Sequence, residues 1–167
     1  DCGGVIERNT ITANCATWAG GLAWCGGTIR NNIISDNAAA DSGGGLFECR
    51  ATIQYNTISG NSAVRGGGLA YCHGTVQNNL ITRNSAFGAD DEGRGGGLAY
   101  CDGLIQNNTI YGNSAAYGGG LSNCGGGIRD CIIWRNTADA GPELSASVAP
   151  TYSCIRKWEG GGAGNVT

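Results

Sequence analysis

The sequence predicts an all-β protein, a right-handed parallel β-helix of about seven coils with roughly 23 residues in each coil. The first observation behind this prediction is a cysteine column with steps of 23, 24, 23, 29 and 23 residues, formed by Cys2, Cys25, Cys49, Cys72, Cys101 and Cys124. The second is a pair of apolar columns at the same spacing, Ile6, Ile29, Ile53, Val76, Ile105 and Ile128 in one and Ile11, Ile34, Ile58, Ile81, Ile110 and Ile133 in the other. The third is the clustering of many of the 32 glycines at one phase of the repeat, directly before the leucines of a further column, which are Leu22, Leu46, Leu69, Leu98 and Leu121. The repeat runs along the chain, which predicts a single domain over residues 1–167.

Each coil contains short stretches in which apolar residues recur at strand-like intervals, as in residues 98–101 and 108–111. Such intervals predict short strands rather than helices, and we expect three strands per coil. Glycine before each leucine predicts tight corners, because glycine accepts positive φ angles and close backbone approach. A leucine-rich repeat would need several leucines per unit, and collagen would need glycine at every third position. A β-helix is therefore the better interpretation.

Taken in order, the coils depart from the repeat at a few places. The first coil runs to Trp18 and carries Cys15, which lies outside the cysteine column. An insertion over residues 87–94 lengthens the fourth coil. Residues 141–167 form a degenerate last coil with two prolines, and Ser147 stands where the column would place a cysteine. Neither end of the chain has residues typical of a cap, although a bare β-helix end exposes unpaired backbone.

Two asparagine columns follow the same repeat. They are Asn14, Asn37, Asn61, Asn84, Asn113 and Asn136 in the first, and Asn9, Asn32, Asn56, Asn79 and Asn108 in the second, which ends at Cys131. Equivalent residues on neighbouring coils lie about 4.8 Å apart, so each amide side chain reaches the next one. We interpret the columns as buried amide ladders, with exposed turn asparagines as the alternative.

The nine cysteines favour an oxidising, extracellular setting, and no CxxC spacing that would indicate a metal cluster occurs. Cys154 follows Cys131 by 23 residues, so we expect the two on adjacent coils, within disulfide range. For the six-residue column, a stack of reduced, buried thiols and a set of three disulfides remain equal alternatives. Cys15 has no obvious neighbour.

The repeated segments GGGLxxC, IQNNxI and GNSA resemble the coils of the secreted parallel β-helix repeat proteins of bacteria. Residues 130–136, 151–155 and 162–165 resemble the closing coils of large bacterial exoproteins. The resemblance covers nearly the whole chain, and it implies a β-helix located outside the cell or at the cell surface. Because the family includes pectin-active enzymes, adhesins and proteins of unknown role, the resemblance selects no single activity.

Composition excludes several classes of function. A net charge of −3 and a pI near 5.0 give no basis for binding nucleic acid or an anionic membrane surface. The longest apolar runs are only a few residues, so no membrane insertion is expected. No motif implies a cofactor. The chain contains no methionine, from which we expect a processed product or a fragment of a longer precursor.

The residue pattern offers little catalytic chemistry. The only acidic cluster is Asp90, Asp91 and Glu92 in the insertion, which we interpret as a solvated loop, with a calcium site as the alternative. Few of the other acidic residues share a column, and Asp36, Asp102 and Asp130 fall at different phases, so no pair of catalytic carboxylates is predicted and we expect no enzymatic activity. His73, the only histidine, is interpreted as an exposed residue.

Two further surface features carry hypotheses. Trp24, Tyr71 and Tyr100 share a phase just before the cysteine column, which fits an aromatic platform for sugars or a contact surface, and we favour the contact surface. Glycosylation sequons begin at Asn107 and Asn165, at a frequency close to chance.

The chain is a whole number of coils to within one residue, which predicts head-to-tail stacking of copies into a filament or surface fibre. The expected partner is a second copy of the chain, with cell-surface glycans as a further candidate. The predicted interface comprises Asp1, Cys2, Val5, Ile6 and Ile11 at one end and Leu144, Cys154, Ile155 and Trp158 at the other. The function predicted is therefore that of an extracellular structural protein. The alternatives are a carbohydrate-binding or polysaccharide-cleaving (pectate-lyase-like) fragment and an adhesin passenger segment.

Overall fold

A computed structural model describes residues 2–88 and 92–167 of the chain. Within these two ranges the secondary structure consists of 24 short β-strands, with no helix. The strands wind into a parallel β-solenoid of about six turns, with equivalent positions about 23 residues apart. This confirms the predicted fold class, and the expected number of coils is close to the number observed. No described segment forms a helix that is long and apolar enough to span a membrane.

A full turn contributes one strand to each of four parallel sheets. The first sheet contains β1 (Val5–Glu7), β5 (Thr28–Arg30), β9 (Thr52–Gln54), β13 (Val76–Gln77), β17 (Ile105–Gln106) and β21 (Ile128–Arg129). The second contains β2 (Thr10–Thr12), β6 (Ile33–Ser35), β10 (Thr57–Ser59), β14 (Leu80–Thr82), β18 (Thr109–Tyr111), β22 (Ile132–Trp134) and β24 (Cys154–Ile155). The third contains β3 (Cys15–Trp18), β7 (Ala38–Ser42), β11 (Ser62–Ala63), β15 (Ser85–Ala86) and β19 (Ser114–Ala115). The fourth contains β4 (Leu22–Ala23), β8 (Leu46–Phe47), β12 (Leu69–Ala70), β16 (Leu98–Ala99), β20 (Leu121–Ser122) and β23 (Leu144–Ser145).

The prediction of three strands per coil was therefore one strand too low. The missed strand belongs to the third sheet, where β11, β15 and β19 are only two residues long. Two residues carry almost no periodicity, so a pattern of alternating apolar residues does not reveal them. Pairing with the neighbouring turns defines these strands.

The register of the sheets reproduces the sequence columns. Ile58 lies opposite Ile34 on one side and Ile81 on the other. Because side chains in a strand alternate between the two faces, one column of each sheet enters the interior. The fully buried interior residues include Ile29, Ile34, Leu46, Ile53, Ile58, Leu69, Val76, Ile81, Leu98, Ile105, Ile110, Leu121, Ile133 and Ile155. The core is thus a set of aliphatic stacks that run along the solenoid axis.

Many corners between the sheets have left-handed backbone conformations at residues other than glycine. The sequence had predicted such conformations at glycines only. Among the residues that the structure describes, nineteen that are not glycine have positive φ angles, between 48° and 57°. The corner after each fourth-sheet strand is held by Trp24, Glu48, Tyr71, Tyr100, Asn123 and Ala146. The glycine triplets do serve the predicted purpose: Gly95 has φ 64°, and a Cβ atom on Gly97 would lie 2.6 Å from the carbonyl oxygen of Gly120. Glycine is required where turns approach closely, and other residues occupy most corners.

Candidate functional site

The first asparagine column forms a continuous hydrogen-bonded ladder inside the solenoid. The backbone N–H and the side-chain Nδ2 of Asn61 both donate to Oδ1 of Asn84, at 3.0 and 2.9 Å. Asn84 repeats this pattern with Asn113, at 2.9 and 3.0 Å. From Asn37 onward, each Nδ2 also donates to a core-strand carbonyl of the preceding turn, as Asn84 does to Ile58 at 2.9 Å. The predicted buried ladder is confirmed, and it has a direction, since every turn donates to the turn that follows it.

The C-terminal end of this ladder is closed by a carboxylate. Asn136 donates from its backbone N–H and its Nδ2 to Oε2 of Glu143, at 3.3 and 2.6 Å. Glu143 is 7% exposed and stands where the next asparagine oxygen would stand. Burial raises the pKa of the Glu143 carboxyl, and the donors of Asn136 and the charge of Arg156 oppose that shift.

The second ladder is closed by a different set of side chains. Asn79 donates to Asn108 as in the first ladder, at 2.9 and 3.1 Å. The backbone N–H of Cys131 then donates to Oγ of Ser153 at 3.1 Å, and the N–H of Ser153 donates to Oδ1 of Asn165 at 3.0 Å. The Nδ2 of Asn165 donates to the carbonyl of Pro150 at 2.7 Å. Both ladders therefore end on side chains of this same protein.

The predicted disulfide between Cys131 and Cys154 is wrong. Both residues are free thiols, and β22 and β24 pair Cys154 with Ile132. The residue that faces Cys131 is Ser153, 22 residues later, because the last turn is one residue shorter than the repeat. A spacing of 23 residues would place Cys154 directly opposite Cys131. In the structure Cys154 is shifted by one position and lies opposite Ile132.

The cysteine column is a stack of thiols. All nine cysteines are free, and Cys25, Cys49, Cys72, Cys101 and Cys124 are buried in the core. Hydrogen bonding to Cys101 and burial raise the pKa of Cys124 well above its ordinary value. Burial also raises the pKa of Cys131 to about 11. Since the thiolate is the nucleophile and the metal ligand, these buried residues act as small apolar side chains. Of the two alternatives for the column, the structure has the reduced stack.

The N-terminal end of the solenoid is an open edge. Within the described ranges, the strands β1, β2, β3 and β4 each have a neighbouring strand on one side only. In the second turn, the N–H groups of Thr28, Ile33 and Ala38 donate to the first turn. Because Val5, Thr10 and Cys15 are in register with these three residues, their N–H groups face the side of the first turn on which no described strand lies. The first-turn core is correspondingly incomplete, with Ile6 and Ile11 only half-buried.

The C-terminal end is covered, so the expectation that both ends lack a cap is wrong there. Val166 forms a parallel bridge with Cys154, and the N–H of Ile155 donates to the carbonyl of Val166 at 2.8 Å. The partly buried Trp158 packs against the hydrophobic core. A cavity of about 480 Å³ lies beside this cap, lined by Gly141, Pro142, Glu143, Leu144, Arg156, Lys157, Trp158 and Glu159. The cap is tertiary in origin, which explains why no repeat column revealed it.

The structure divides the predicted interface residues between these two ends. Cys2 and Val5 are exposed at the open edge, next to the half-buried Ile6 and Ile11. At the other end Leu144 and Ile155 are buried, and Cys154 and Trp158 are partly exposed. Asp1 lies outside the described residues. The predicted stacking of these two surfaces remains a prediction.

The buried carboxyl of Glu143 makes stability depend on pH. Its folded-state pKa is raised, so over the interval between the unfolded and folded values the folded chain binds more protons than the unfolded chain. The stabilisation from the protonated group is complete below the unfolded value and is lost as pH rises through the folded value. We expect the free energy of unfolding of wild type relative to Glu143→Gln to fall as pH rises from about 4 toward neutrality. Urea unfolding of both proteins at several pH values measures this difference, and a difference independent of pH would contradict it.

A groove at one corner of the solenoid gathers the polar and aromatic residues that break the repeat. It has a volume of about 610 Å³ and is lined by Trp24, Cys25, Gly26, Glu48, Arg50 and His73. We call it the corner groove. The indole Nε1 of Trp24 donates to Oε2 of Glu48 at 2.9 Å, which fixes the ring beside the carboxylate. Among the described residues, neither Glu48 nor Arg50 forms a salt bridge.

Aromatic rings and an imidazole extend the corner groove along the axis. Phe47 packs edge-on against Trp24 at 5.9 Å and against Tyr71 at 5.8 Å between ring centroids. Tyr71 and Tyr100 stack face to face, with centroids 4.9 Å apart. The Nδ1 atom of His73 lies 3.6 Å from Oδ2 of Asp102. The predicted aromatic stripe is therefore a packed stack, in which the two tyrosine faces contact each other. Trp24, at one end of the stack, is 51% exposed.

The remaining predicted sites are placed as follows. Asp90 and Asp91 lie outside the described residues, and Glu92 is exposed. No group of three potential metal ligands occurs among the residues that the structure describes. The sequon residue Asn107 is exposed, whereas the amide of Asn165 is engaged in the C-terminal cap.

Sequence reasoning missed three parts of this architecture. Glu143 lies seven residues after Asn136 and outside every column, so only its reach in three dimensions reveals it. Glu48 and Arg50 flank Cys49, and two opposite charges on either side of one column cysteine were an available signal. Trp24 precedes Cys25 and Arg50 follows Cys49, so the cysteine column already places these two residues on neighbouring turns near one corner.

No protein-family model, curated protein or solved structure matches this chain. The function is therefore argued from the geometry of the two ends and of the surface.

Proposed function

We propose that this protein is an extracellular structural β-solenoid that stacks head to tail with further copies of itself. It builds a filament or surface fibre and has no catalytic activity of its own. The resemblance of its coils to those of secreted β-helix repeat proteins supports the extracellular location. Cell-surface glycans are a further candidate partner of such a fibre.

The observation that carries the proposal is the open first turn. The outer strand of each of the four sheets has an unpaired edge there. The apolar side chains of Ile6 and Ile11 are only half-buried, whereas the equivalent Ile29 and Ile34 are fully buried. An unpaired edge of a parallel sheet is a template for a further strand. Another solenoid turn placed on this edge would bury these side chains and complete the backbone hydrogen bonds.

Head-to-tail stacking fits the direction of the asparagine ladders. Each turn donates to the turn after it, so Oδ1 of the exposed Asn14 is an acceptor that faces a preceding turn, while the donors of Asn136 at the other end are already bound to Glu143. The opposite end offers the outer edge of β23, which pairs on one side only with β20. Stacking would continue the fourth sheet from β23 of one copy to β4 of the next. Trp158 would then lie against Ile6 and Ile11, and the neighbouring cavity offers room for first-turn side chains.

The test is sedimentation velocity over a concentration series for wild type and for a double variant, Ile6→Asp with Ile11→Asp. Two carboxylates at the open edge would have to be buried on stacking, and burial of unpaired charge is strongly unfavourable. We expect wild type to form species that grow with concentration and the double variant to remain a monomer.

The matched control is Ile33→Asp with Ile132→Asp, two residues that are each 50% exposed on the outer face of the second sheet. This variant should assemble as wild type does. A wild type that remains monomeric at every concentration, or a first-turn variant that assembles normally, would contradict the proposal.

A further inference from the structure

The cysteine column reaches the surface in the first two turns of the solenoid. Cys2 is exposed, Cys25 is 4% exposed, and the two residues form a parallel bridge between neighbouring turns. From Cys49 onward the members of the column are fully buried. Cys2 and Cys25 are therefore two thiols in register, of which one is open to solvent.

The spacing of these two thiols suits a bridging metal ion better than a disulfide. Equivalent atoms on neighbouring turns lie about 4.8 Å apart, whereas the two Cβ atoms of a disulfide lie about 3.8 Å apart. A bond between a metal ion and a thiolate sulfur is about 2.3 Å long, so an ion in line between two sulfur atoms spans about 4.6 Å. The turns therefore need hardly move to hold such an ion, whereas a disulfide would have to draw them together.

The number and the chemistry of the ligands select the metal. No group of three potential metal ligands occurs in the part of the chain that the structure describes. Zinc sites use at least three protein ligands, and iron–sulfur clusters normally use four cysteines. Copper(I) is a soft ion that favours thiolates, and it is stable with two of them in line.

We propose that Cys2 and Cys25 bind one copper(I) ion in line between their sulfur atoms. Each thiol releases its proton to solvent and forms one bond from sulfur to copper, and neither sulfur nor copper changes its oxidation state. Burial raises the pKa of the Cys25 thiol, so this group keeps its proton until the metal replaces it.

The corner groove gives the ion a path to Cys25 and places a cation beside it. Cys25 lines this cavity of about 610 Å³ together with Glu48 and Arg50. The backbone N–H of Arg50 donates to the carbonyl of Cys25 at 2.9 Å, and the guanidinium forms no salt bridge with a described residue. Two thiolates and one copper(I) ion carry one net negative charge, which the nearby guanidinium offsets. The carboxylate of Glu48 is held by the indole of Trp24.

Competition with bathocuproine disulfonate, a chelator that becomes coloured on binding copper(I), tests the proposal on reduced protein without oxygen. We expect wild type to retain one copper(I) ion per chain. Cys2→Ser and Cys25→Ser should each weaken binding by roughly a hundredfold or more, because loss of one of two ligands exceeds loss of a hydrogen-bond partner behind a ligand. X-ray absorption at the copper edge should show two sulfur neighbours in wild type.

Serine is a suitable replacement because the chain already uses it in this column. Ser147 occupies the cysteine position of the last turn, where its Oγ accepts from the backbone N–H of Cys124 at 3.1 Å. Far-ultraviolet circular dichroism verifies that both variants are folded. Cys2→Ser changes an exposed side chain, so it tests the proposal even if Cys25→Ser is unstable.

The two remaining cysteines that are not buried provide matched controls. Cys15 lies in register with Ala38, and Cys154 lies in register with Ile132, so neither has a thiol opposite it. Cys15→Ser and Cys154→Ser should retain copper(I) as wild type does. Zinc(II) should bind wild type far more weakly than copper(I), because the pair supplies only two ligands.

Four results would overturn the proposal. They are no retention of copper(I) by wild type, equal losses in the control and pair variants, unchanged binding in Cys2→Ser, and binding of zinc(II) as tight as that of copper(I). Unchanged binding in Cys2→Ser would place the ion deeper in the column. The titration uses protein dilute enough to be monomeric, so its outcome is independent of stacking, which the first-turn variants test separately.

Discussion

Asn79→Ala is expected to lower the free energy of unfolding by about 3–5 kcal/mol. Asn79 is 3% exposed, and its Nδ2 donates to the carbonyls of Ile53 and Gln77, both at 2.9 Å. Its Oδ1 accepts from the backbone N–H and the Nδ2 of Asn56, at 2.9 and 3.0 Å. Alanine removes these bonds and leaves buried partners unsatisfied, at about 1–3 kcal/mol for each such group. Urea denaturation followed by circular dichroism measures the loss.

The adjacent residue provides the control. Asn78 is half-buried, has φ 55°, and belongs to the corner column, where its side chain makes no hydrogen bond to a described residue. Alanine is less favourable than asparagine in the left-handed region, so Asn78→Ala should cost only about 1 kcal/mol. Equal losses in the two variants would show that the ladder contributes no more than an ordinary corner residue.

Gly97→Ala is expected to cost about 3 kcal/mol or more, through a different mechanism. The added Cβ would lie 2.6 Å from the carbonyl oxygen of Gly120, in the next turn. That oxygen is part of the backbone and cannot rotate away, so two turns must separate. The separation would also lengthen the hydrogen bond from the N–H of Leu98 to the same carbonyl, which is 3.0 Å.

Gly112→Ala separates this steric effect from the conformational preference of glycine. Gly112 has φ 63° and nothing lies within 4 Å of its virtual Cβ. Ala13 and Arg135 hold the equivalent corners of other turns, with φ 57° and 55°. The cost should be about 1 kcal/mol. A larger loss at Gly112 than at Gly97 in thermal or urea unfolding would contradict the close-approach account.

The sequence was sufficient for those parts of the structure that repeat. The columns of Ile29, Ile34 and Asn37 predicted buried stacks, and the structure buries each of these residues. Periodicity succeeds here because each turn meets the same neighbours, so one local solution is copied along the axis. The two-residue strands of the third sheet and the left-handed corners at Tyr71 and Tyr100 are local exceptions that periodicity does not describe.

Prediction failed where the repeat ends. The pairing of Cys131 with Cys154 assumed a turn of 23 residues, and the last turn places Ser153 opposite Cys131 instead. The closure of the first ladder by Glu143 depends on a longer side chain reaching back from a non-equivalent position. The cap around Trp158 similarly depends on tertiary contacts. End structures occur once per chain, so no internal copy marks them.

The two ends of the solenoid differ in a way that bears on assembly. At the C-terminal end, donors that would continue into a further turn are satisfied by Glu143, Ser147 and Asn165. The first turn has an unpaired strand edge in all four sheets. An open edge of this kind is a hazard of uncontrolled association, which proteins normally manage by covering it. Under the proposal of stacking, a second copy would cover this edge through the outer edge of β23, and the asparagine ladders would not continue between copies.

Electron microscopy of the native protein at high concentration tests the central claim most directly. The stacked solenoid predicts filaments whose axial rise per subunit is about 29–34 Å, six to seven turns at about 4.8 Å each. The same filaments should be absent from the Ile6→Asp, Ile11→Asp variant. Dispersed single particles of wild type, or filaments that the double variant also forms, would show that the open first turn does not drive assembly.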